Sequence, residues 1–421
     1  MRTLQEGIYY DCSDCTCPFL AMVFLQPRPS ATASQVGAAL GELWSMYQEL
    51  KAGKVRDLPG HPLPKPAQLD VLLGYGTDAF GLNGASRPLP ETLGEHRFPR
   101  PERLADAPIL ANSGLAYATD LTDNVADAAI VVHLTGETQL AVYRAVVETW
   151  KLLFDLDTPR TPAPLRMTGF LSGHQRDDHR SWIDFHDGVN NLRREERAAA
   201  ITVKPRSDAG WTTGGTYMAM VRIAVDLAAW RKLKPDQQEQ LVGRDKLTGA
   251  PLVPGRGGGP QIAPGFVTKG GVDVLDPANV AFREQRFPQP ITYSHIDRAT
   301  NHRRQYPEFT TSARIFRQGY EFLERIDVPP FFRAGLNFIS FQDTPERLHT
   351  ILSRDGWLGG SNFGGEPGKV PDGRWLLSVR AAGIFLVPPL AEAESFPGSS
   401  IFGLSTDRPA VSSEVPTSPR G

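Results

Sequence analysis

The sequence predicts an α+β protein made of two ferredoxin-like units, each a split βαβ arrangement of antiparallel strands with its helices on one face. Three observations support this fold class. Short apolar runs bounded by Pro or Gly alternate with segments of helical spacing. In the first half their order is strand, helix, strand, strand, helix, strand. The second half repeats that order loosely, which indicates a duplication.

The first half contains the clearer of the two repeats. Its apolar runs predict strands over residues 19–25, 69–75, 128–134 and 165–170. A helix is predicted between Val36 and Leu50, where apolar residues recur at steps of three and four and Ser34 is placed as the N-cap. A second helix is predicted over 140–154 from the same spacing. Together these elements make one complete ferredoxin-like unit.

The second half is less regular. Strands are predicted over 216–225, 336–341 and 376–387, and helices over 226–233 and 344–353. A long insert, 243–335, carries a Gly- and Pro-rich stretch and is predicted to be irregular. This composition is typical of a loop that surrounds a binding site and not of a core element. The predicted organisation is a Cys-containing segment (1–17), two ferredoxin-like domains (18–192 and 193–403) and a disordered tail (404–421).

Composition excludes several classes of protein. Hydrophobic residues make up 40% and charged residues 22% of the 421-residue chain, as in globular proteins. A net charge of −2 offers no field that would attract nucleic acid. The apolar runs fall short of the roughly 20 residues of a membrane helix, and a signal-peptide pattern is absent. We therefore expect a cytoplasmic protein with small-molecule partners. The sequence does not decide whether it forms a homo-oligomer.

The three cysteines form one cluster, Cys12, Cys15 and Cys17. Thiolates at this spacing can hold zinc or part of an iron–sulfur cluster, but such sites normally take four ligands. The favoured interpretation is a set of reduced surface thiols before the first strand. A metal site completed by Asp11, Asp14 or a distant histidine is the alternative.

Two polar segments carry the candidate catalytic residues. The first, WIDFHDGVNN at 182–191, places Asp187 directly before a glycine. The second, at 293–321, contains His295 and, 22 positions further along, Arg317. An imidazole can ligate haem iron, a carboxylate can carry a proton and a guanidinium keeps its charge. These are the three side chains that peroxide cleavage at a haem requires.

Several segments between residues 165 and 403 resemble a known family. They are GGTYMAMVRIAVDLAAWRKL (214–233), EQLVGRDKLTGAPL (239–252), YSHIDRA, ARIFRQGYEF, GLNFISFQDTPER (335–347) and GIFLVPP (383–389). In number, order and spacing they resemble the dye-decolorising (DyP-type) haem peroxidases. The resemblance implies a duplicated ferredoxin-like fold with haem b in the C-terminal half. It also implies an enzyme that uses hydrogen peroxide to oxidise a small organic, aromatic reductant.

The resemblance also implies roles for individual residues. His295 would be the proximal ligand and hence the iron-binding residue. Asp187 would be the distal acid and base, and Arg317 the distal cation. The physical chemistry agrees, because a carboxylate within hydrogen-bond reach can move the peroxide proton while a fixed cation stabilises the departing oxygen.

Five further residues are implied near the haem. Arg314 or Arg298 would meet a haem propionate, and Phe338 would contact the cofactor. The proximal imidazole would donate its remaining N–H to a carboxylate, for which Asp297 and Asp343 are the candidates.

The chain departs from the family pattern in one place. The Gly-X-X-Asp-Gly motif has Asp184 where the first glycine is usual, which puts a Cβ and a charge where the backbone normally has freedom. His186 is a second titratable group beside Asp187, although neighbours in an extended chain point to opposite sides. This departure motivates a second hypothesis, a specialised haem oxidase or oxygenase of a biosynthetic pathway.

Three other interpretations remain open at this point. A haem carrier or encapsulated cargo protein would share the fold, although the tail lacks the Gly- and Leu-rich targeting pattern. The cluster of imidazoles and carboxylates between His174 and Asp187 could hold a non-haem metal, but its spacing fits no defined motif. Four aromatic residues serve equally well as core packing or as an electron path from surface donors: Tyr217, Tyr293, Tyr320 and Trp375.

Overall fold

The computed structural model describes residues 2–11, 17–58, 68–98, 117–118, 120–121, 123–188, 191–192, 194–205, 210–255, 260–262, 291, 294–300 and 314–352, and 376–404. Its strands are β1 (Arg2–Thr3), β2 (Phe19–Pro27), β3 (Leu69–Tyr75), β4 (Ile130–Gly136), β5 (Leu165–His174), β6 (Thr216–Val225), β7 (Leu252–Pro254), β8 (Pro260–Ile262), β9 (Phe316–Arg317), β10 (Tyr320–Arg325), β11 (Phe332–Gln342), β12 (Leu377–Val387) and β13 (Leu390–Ala391).

Its helices are α1 (Ala33–Lys51), α2 (Glu91–Glu95), α3 (Gln139–Leu156), α4 (Arg194–Ile201), α5 (Leu227–Lys232), α6 (Pro235–Val242), α7 (His295–Thr300) and α8 (Glu346–Leu352). Short 3-10 turns cover Thr77–Gly81, Gly210–Thr212 and Ser399–Phe402. The predicted tail from residue 405 onward, together with Cys12 and Cys15, lies outside the described residues.

The N-cap of helix α1 lies two residues earlier than the sequence suggested. Its N-cap is Thr32, whose side chain accepts a hydrogen bond from the backbone N–H of Gln35. The Gln35 side chain accepts from the Thr32 backbone in return, which completes a capping box. The prediction of Ser34 as the cap was therefore wrong, because Ser34 lies in the first turn.

One continuous sheet contains both halves of the chain. Its strand order is β10-β5-β2-β4-β3-β12-β6-β11-β9, and β10 also pairs with β11. Within the first half the order β5-β2-β4-β3 is that of a ferredoxin-like unit, and β12-β6-β11-β10 repeats it in the second. The predicted duplication of an antiparallel ferredoxin-like unit is confirmed, whereas the boundaries of the two domains stay predictions.

Strand β10 completes the second repeat and corrects a prediction. The insert 243–335 was expected to be irregular, yet it contains β7 to β10 and the start of β11. Strand β10 pairs with β11 from Tyr320 opposite Asn337 to Arg325 opposite Phe332. The segment that holds the candidate arginine is thus part of the sheet.

Two seams join the halves into a closed, barrel-like sheet. At one seam Leu386 of β12 lies opposite Tyr75 of β3. At the other, Glu321 of β10 lies opposite His174 of β5. The second seam positions the candidate site, since the loop after β5 carries Asp187 and the residues before β10 include Arg317.

The surface of α3 carries an apolar stripe. Its exposed members are spaced by three and four residues: Leu140, Tyr143, Val147, Trp150 and Phe154. Trp150 and Phe154 stack on each other with ring centroids 5.3 Å apart. A stripe of this spacing is typical of a helix that packs against another helix, and homo-oligomer formation stays a prediction. No helix in the described part of the chain is long and apolar enough to cross a membrane.

Candidate active site

Asp187 sits in the loop between β5 and α4 and is fixed by its backbone. Its N–H donates to the carbonyl of His179 at 2.9 Å. Its Oδ1 accepts a hydrogen bond from the N–H of Gly188 at 2.7 Å. Gly188 has a positive φ of 76°, a conformation that suits a residue without a Cβ. The loop therefore presents the carboxylate in a defined direction while leaving it partly accessible.

Asn191 holds the main chain of Arg317 in place. The side-chain Nδ2 of Asn191 donates to the Arg317 carbonyl at 2.7 Å, and its Oδ1 accepts from the Arg317 N–H at 3.0 Å. The guanidinium Nη1 of Arg317 then lies 4.0 Å from Oδ1 of Asp187. The structure thus brings together the carboxylate and the cation that the sequence singled out, and it adds Asn191, which the sequence analysis missed.

Gly319 allows Asp187 to approach the strand. A Cβ at this position would lie 3.0 Å from Oδ2 of Asp187 and 3.1 Å from a methyl carbon of Leu336. Both distances are tighter than ordinary contacts between side chains. The glycine therefore leaves the space that the Asp187 carboxylate occupies.

His295 lies on a separate segment, as the first residue of α7. The buried Ser294 precedes it, and the Ser294 Oγ accepts a hydrogen bond from the N–H of Asp297 at 3.2 Å. Gly243, with a φ of 84°, packs against this helix start, where a Cβ would come within 2.6 Å of the Ser294 Oγ. The turn after α6 therefore packs against the start of the helix that carries His295.

The same turn carries a buried cation. Arg244 is 6% exposed, and its Nη1 donates to the Gly249 carbonyl at 2.8 Å. Burial, together with the positive charge of Arg317, lowers the pKa of Arg244 to about 9. The positive charges of Arg244 and Arg317 repel each other, and an anion beside them would relieve that repulsion.

Glu321 is a carboxyl group that the sequence analysis did not select. It is 5% exposed. Burial and the nearby Asp187 carboxylate raise the pKa of Glu321 to about 8, against an opposing effect of Arg176. The structure therefore places two carboxyl groups at the site where the sequence indicated one.

The remaining predicted haem contacts have the following surroundings. Arg314 forms an ion pair with Glu196 at 2.9 Å. Phe338 is a buried residue of β11 in the main hydrophobic core. Arg298 lies in α7, and its side chain is outside the described part of the chain. The roles of these residues stay predictions.

Asp343 and Asp297 are the two carboxylates considered as partners of His295. Asp343 accepts two hydrogen bonds from Arg347, at 2.6 and 2.9 Å. Asp297 is buried in the first turn of α7, two residues after the imidazole. Neither arrangement assigns the partner, which stays a prediction.

His186 and Asp184 face the turn after α6. The His186 Nε2 is 2.8 Å from a guanidinium nitrogen of Arg180, and its ring lies over Gly249. Burial and Arg180 lower the pKa of His186. Asp184 has a positive φ of 67° and lies 3.6 Å from Nζ of Lys246. The residue that replaces the family's glycine thus adopts a backbone conformation that a glycine would favour.

A pair of substitutions isolates the backbone cost at Asp184. We expect the free energy of unfolding of Asp184→Gly to exceed that of Asp184→Ala by about 1 kcal/mol, because only glycine adopts positive φ without a steric penalty. Both variants lack the carboxylate, so the contact with Lys246 is lost in each. Urea denaturation measures the difference, and equal stabilities would contradict the argument.

The cysteine and aromatic predictions are resolved in part. Cys17 is a buried free thiol, 2% exposed, so its assignment as a surface thiol was wrong. Burial raises its pKa to about 11, which makes it a poor nucleophile.

Tyr217 and Tyr320 are buried, and the Tyr320 hydroxyl donates to the Cys17 carbonyl at 3.3 Å. Tyr293 and Trp375 lie outside the described residues. Within the described ranges, no group of three or more His, Cys, Asp or Glu could hold a metal ion.

Comparisons with known proteins agree with the fold. The family model described as "Dyp-type peroxidase, C-terminal" matches residues 178–390. A dye-decolorizing peroxidase of Thermobifida fusca is 30% identical over 148 residues, which cover 34% of this chain and 29% of the relative. A deferrochelatase of Escherichia coli is 27% identical over 133 residues, 29% of this chain and 30% of the relative. Each alignment thus spans under a third of the curated relative.

A solved structure extends the likeness over nearly the whole fold. DtpA from Streptomyces lividans superimposes with a TM-score of 0.65 at 19% identity, over 94% of this chain and 95% of that one. Similarity at this level concerns the fold alone. The family model, in contrast, covers more than half of the residues and spans Asp187, His295 and Arg317. The chain therefore belongs to the Dyp-type peroxidase family.

Proposed function

We propose that this protein is a haem-dependent peroxidase that uses hydrogen peroxide to oxidise small organic, aromatic donors. The observation that carries the proposal is the Asp187–Arg317 pair, with 4.0 Å between carboxylate and guanidinium, at the seam between β5 and β10. Membership of a peroxidase family supports the same reaction. His295, on its own helix and held by the turn after α6, supplies the iron ligand in this proposal.

The residues present suit haem b. An imidazole at a helix start is an ordinary haem ligand, and the positive charges of Arg244 and Arg317 suit the anionic propionates and an anionic oxygen. When bound, haem supplies the redox-active iron at which peroxide is reduced. His295 would hold that iron, while Asp187 and Arg317 would act on the bound peroxide.

The distal residues divide the work between proton transfer and charge stabilisation. In the proposed mechanism the Asp187 carboxylate accepts a proton from one oxygen of hydrogen peroxide and returns it to the other. The Arg317 guanidinium stabilises negative charge on the departing oxygen. Two hydrogen bonds from the Asn191 side chain hold the Arg317 backbone beside the loop that carries Asp187. The carboxylate is partly exposed, which leaves a path for peroxide.

A titration with haem followed by peroxide tests the proposal. The purified protein should develop a Soret band with one equivalent of haem and then oxidise an aromatic dye only when hydrogen peroxide is added. Haem binding without dye oxidation at any pH would reject the peroxidase and leave a haem carrier. The deferrochelatase relatives motivate a second candidate, removal of iron from haem, which would appear as fluorescent metal-free porphyrin.

Asn191 is expected to matter for both stability and peroxide reactivity. Asn191→Ala removes both hydrogen bonds to Arg317 and should lower the free energy of unfolding by about 1–3 kcal/mol. Displacement of the guanidinium should also slow the reaction with peroxide, by up to about 10²-fold.

The chain contains a matched control for that substitution. Asn124 makes the same pair of bonds to the backbone of Ala382, at 2.7 and 2.9 Å. Asn124→Ala should cost a similar stability and leave the peroxide rate unchanged, as measured by urea denaturation and stopped-flow absorbance. Equal rates in the two variants would mean that Asn191 does not position Arg317.

A further inference from the structure

Glu321 is a buried carboxyl group with one unsatisfied oxygen. The strand register places it between His174 of β5 and the apolar Leu336 of β11. Its Oε1 has no hydrogen-bond partner among the described residues. A buried ionised carboxylate without full pairing is costly, so the neutral acid is the stable form in such a place. The surroundings of Glu321 therefore favour its protonated form.

The chain direction turns Glu321 toward the candidate site. Alternation along an extended chain puts Arg317, Gly319 and Glu321 on one side. Gln318 and Tyr320 lie on the other side, where the Gln318 Nε2 donates to the Tyr320 hydroxyl at 3.4 Å. The guanidinium and the buried carboxyl therefore flank a glycine on one surface of the strand.

Asp187 lies against that surface. A Cβ at Gly319 would be 3.0 Å from Oδ2 of Asp187, and Oδ1 of Asp187 is 4.0 Å from the guanidinium of Arg317. The negative charge of Asp187 is one of the causes that raise the pKa of Glu321. Two neighbouring carboxyl groups do not both ionise easily, and the buried one keeps its proton to higher pH.

The other titratable groups around Glu321 leave this arrangement intact. From β5, His174 is its register partner, and burial together with Arg176 lowers the pKa of that imidazole. From the loop after β5, Arg176 favours the ionised form of Glu321 and Asp178 opposes it. Arg176 is itself held by Asp178 through two hydrogen bonds, at 2.5 and 2.9 Å. Asp187 remains the carboxylate whose charge acts most strongly on Glu321.

We propose that Glu321 is a positioning residue: a buried acid that stays protonated beside the Asp187–Arg317 pair and so adds no second negative charge there. This inference rests on the proposed function for its role in turnover. The protonation of Glu321 itself can be tested without it.

Infrared spectroscopy of the full chain tests the protonation directly. At neutral pH the wild-type protein should show the carbonyl stretch of a protonated carboxylic acid, and Glu321→Gln should lose it. The band should disappear with a midpoint near pH 8, where the pKa of Glu321 lies. Glu346→Gln, an exposed substitution on α8, is the matched control and should leave the band in place. An identical band in wild type and Glu321→Gln would overturn the proposal.

A second variant keeps the test independent of any change at Glu321. In Asp187→Asn the neighbouring charge is gone, so the midpoint of the band should move to lower pH. An unshifted midpoint would show that the charge at position 187 does not act on Glu321, which would overturn the proposal. In the haem-loaded protein, Glu321→Gln should also lose the alkaline limb of the peroxide rate profile. If Asp187→Asn leaves the peroxide rate unchanged, the proposed role of Asp187 in turnover fails, while the infrared result still decides the protonation state of Glu321.

Discussion

Replacing Asp187 with Asn lowers the rate at which the haem-loaded protein reacts with hydrogen peroxide by about 10²- to 10⁴-fold, the range that a positioned acid–base group contributes. The amide has the shape of the carboxylate, and its oxygen can still accept the 2.7 Å bond from Gly188. The loop therefore keeps its geometry and haem binding is retained. What is lost is the ability to take a proton from peroxide.

The control for this substitution lies in the same loop. Asp178→Asn removes a carboxylate that pairs with Arg176 on the outer side of the loop. Its peroxide rate should stay close to that of the wild type in stopped-flow measurements. If Asp187→Asn reacts as fast as Asp178→Asn, another group carries the proton and the assignment of Asp187 is wrong.

Glu321→Gln changes the pH dependence of stability. Because folding raises the pKa of Glu321 from 4.5 to about 8, the folded protein retains a proton that the unfolded chain releases between these values. The wild type should therefore lose stability as the pH rises through this window. Glutamine cannot ionise, so the variant should avoid this loss and gain about 3–5 kcal/mol relative to the wild type by roughly pH 9.

Urea denaturation between about pH 5 and about pH 9 measures this effect. Glu346→Gln, exposed on α8, should follow the wild-type curve. Parallel curves for the wild type and Glu321→Gln would mean that the Glu321 carboxyl is not protonated in the folded state. The experiment needs no haem, so it is independent of the peroxidase proposal.

Continuous apolar runs made much of the sheet predictable. Strands β2, β3, β4 and β6 are buried almost throughout, and their sequences show it. Strand β10 was missed because only Tyr320 and Phe322 mark its buried side, while Glu321 is polar and faces the candidate site. A strand that carries a functional carboxyl group lacks the pattern by which strands are recognised.

The site could be predicted only where local sequence encodes it. Asp187 and Arg317 stand in motifs that resemble those of a family, and Asp184 was correctly identified as a position of unusual backbone freedom, since its φ is 67°. Asn191 and Glu321 act through residues more than a hundred positions away, along the seam that closes the sheet. Their importance depends on tertiary contacts that no spacing in the sequence encodes.

The most direct test of the account is a haem titration of the wild type and His295→Ala, followed by absorbance spectroscopy with and without added imidazole. The wild type should give a histidine-ligated ferric spectrum. His295→Ala should lose it and regain it when imidazole fills the space of the missing side chain. His349→Ala, on α8, should behave as the wild type. A His295→Ala protein with an unchanged spectrum would contradict the assignment of His295 as the iron ligand.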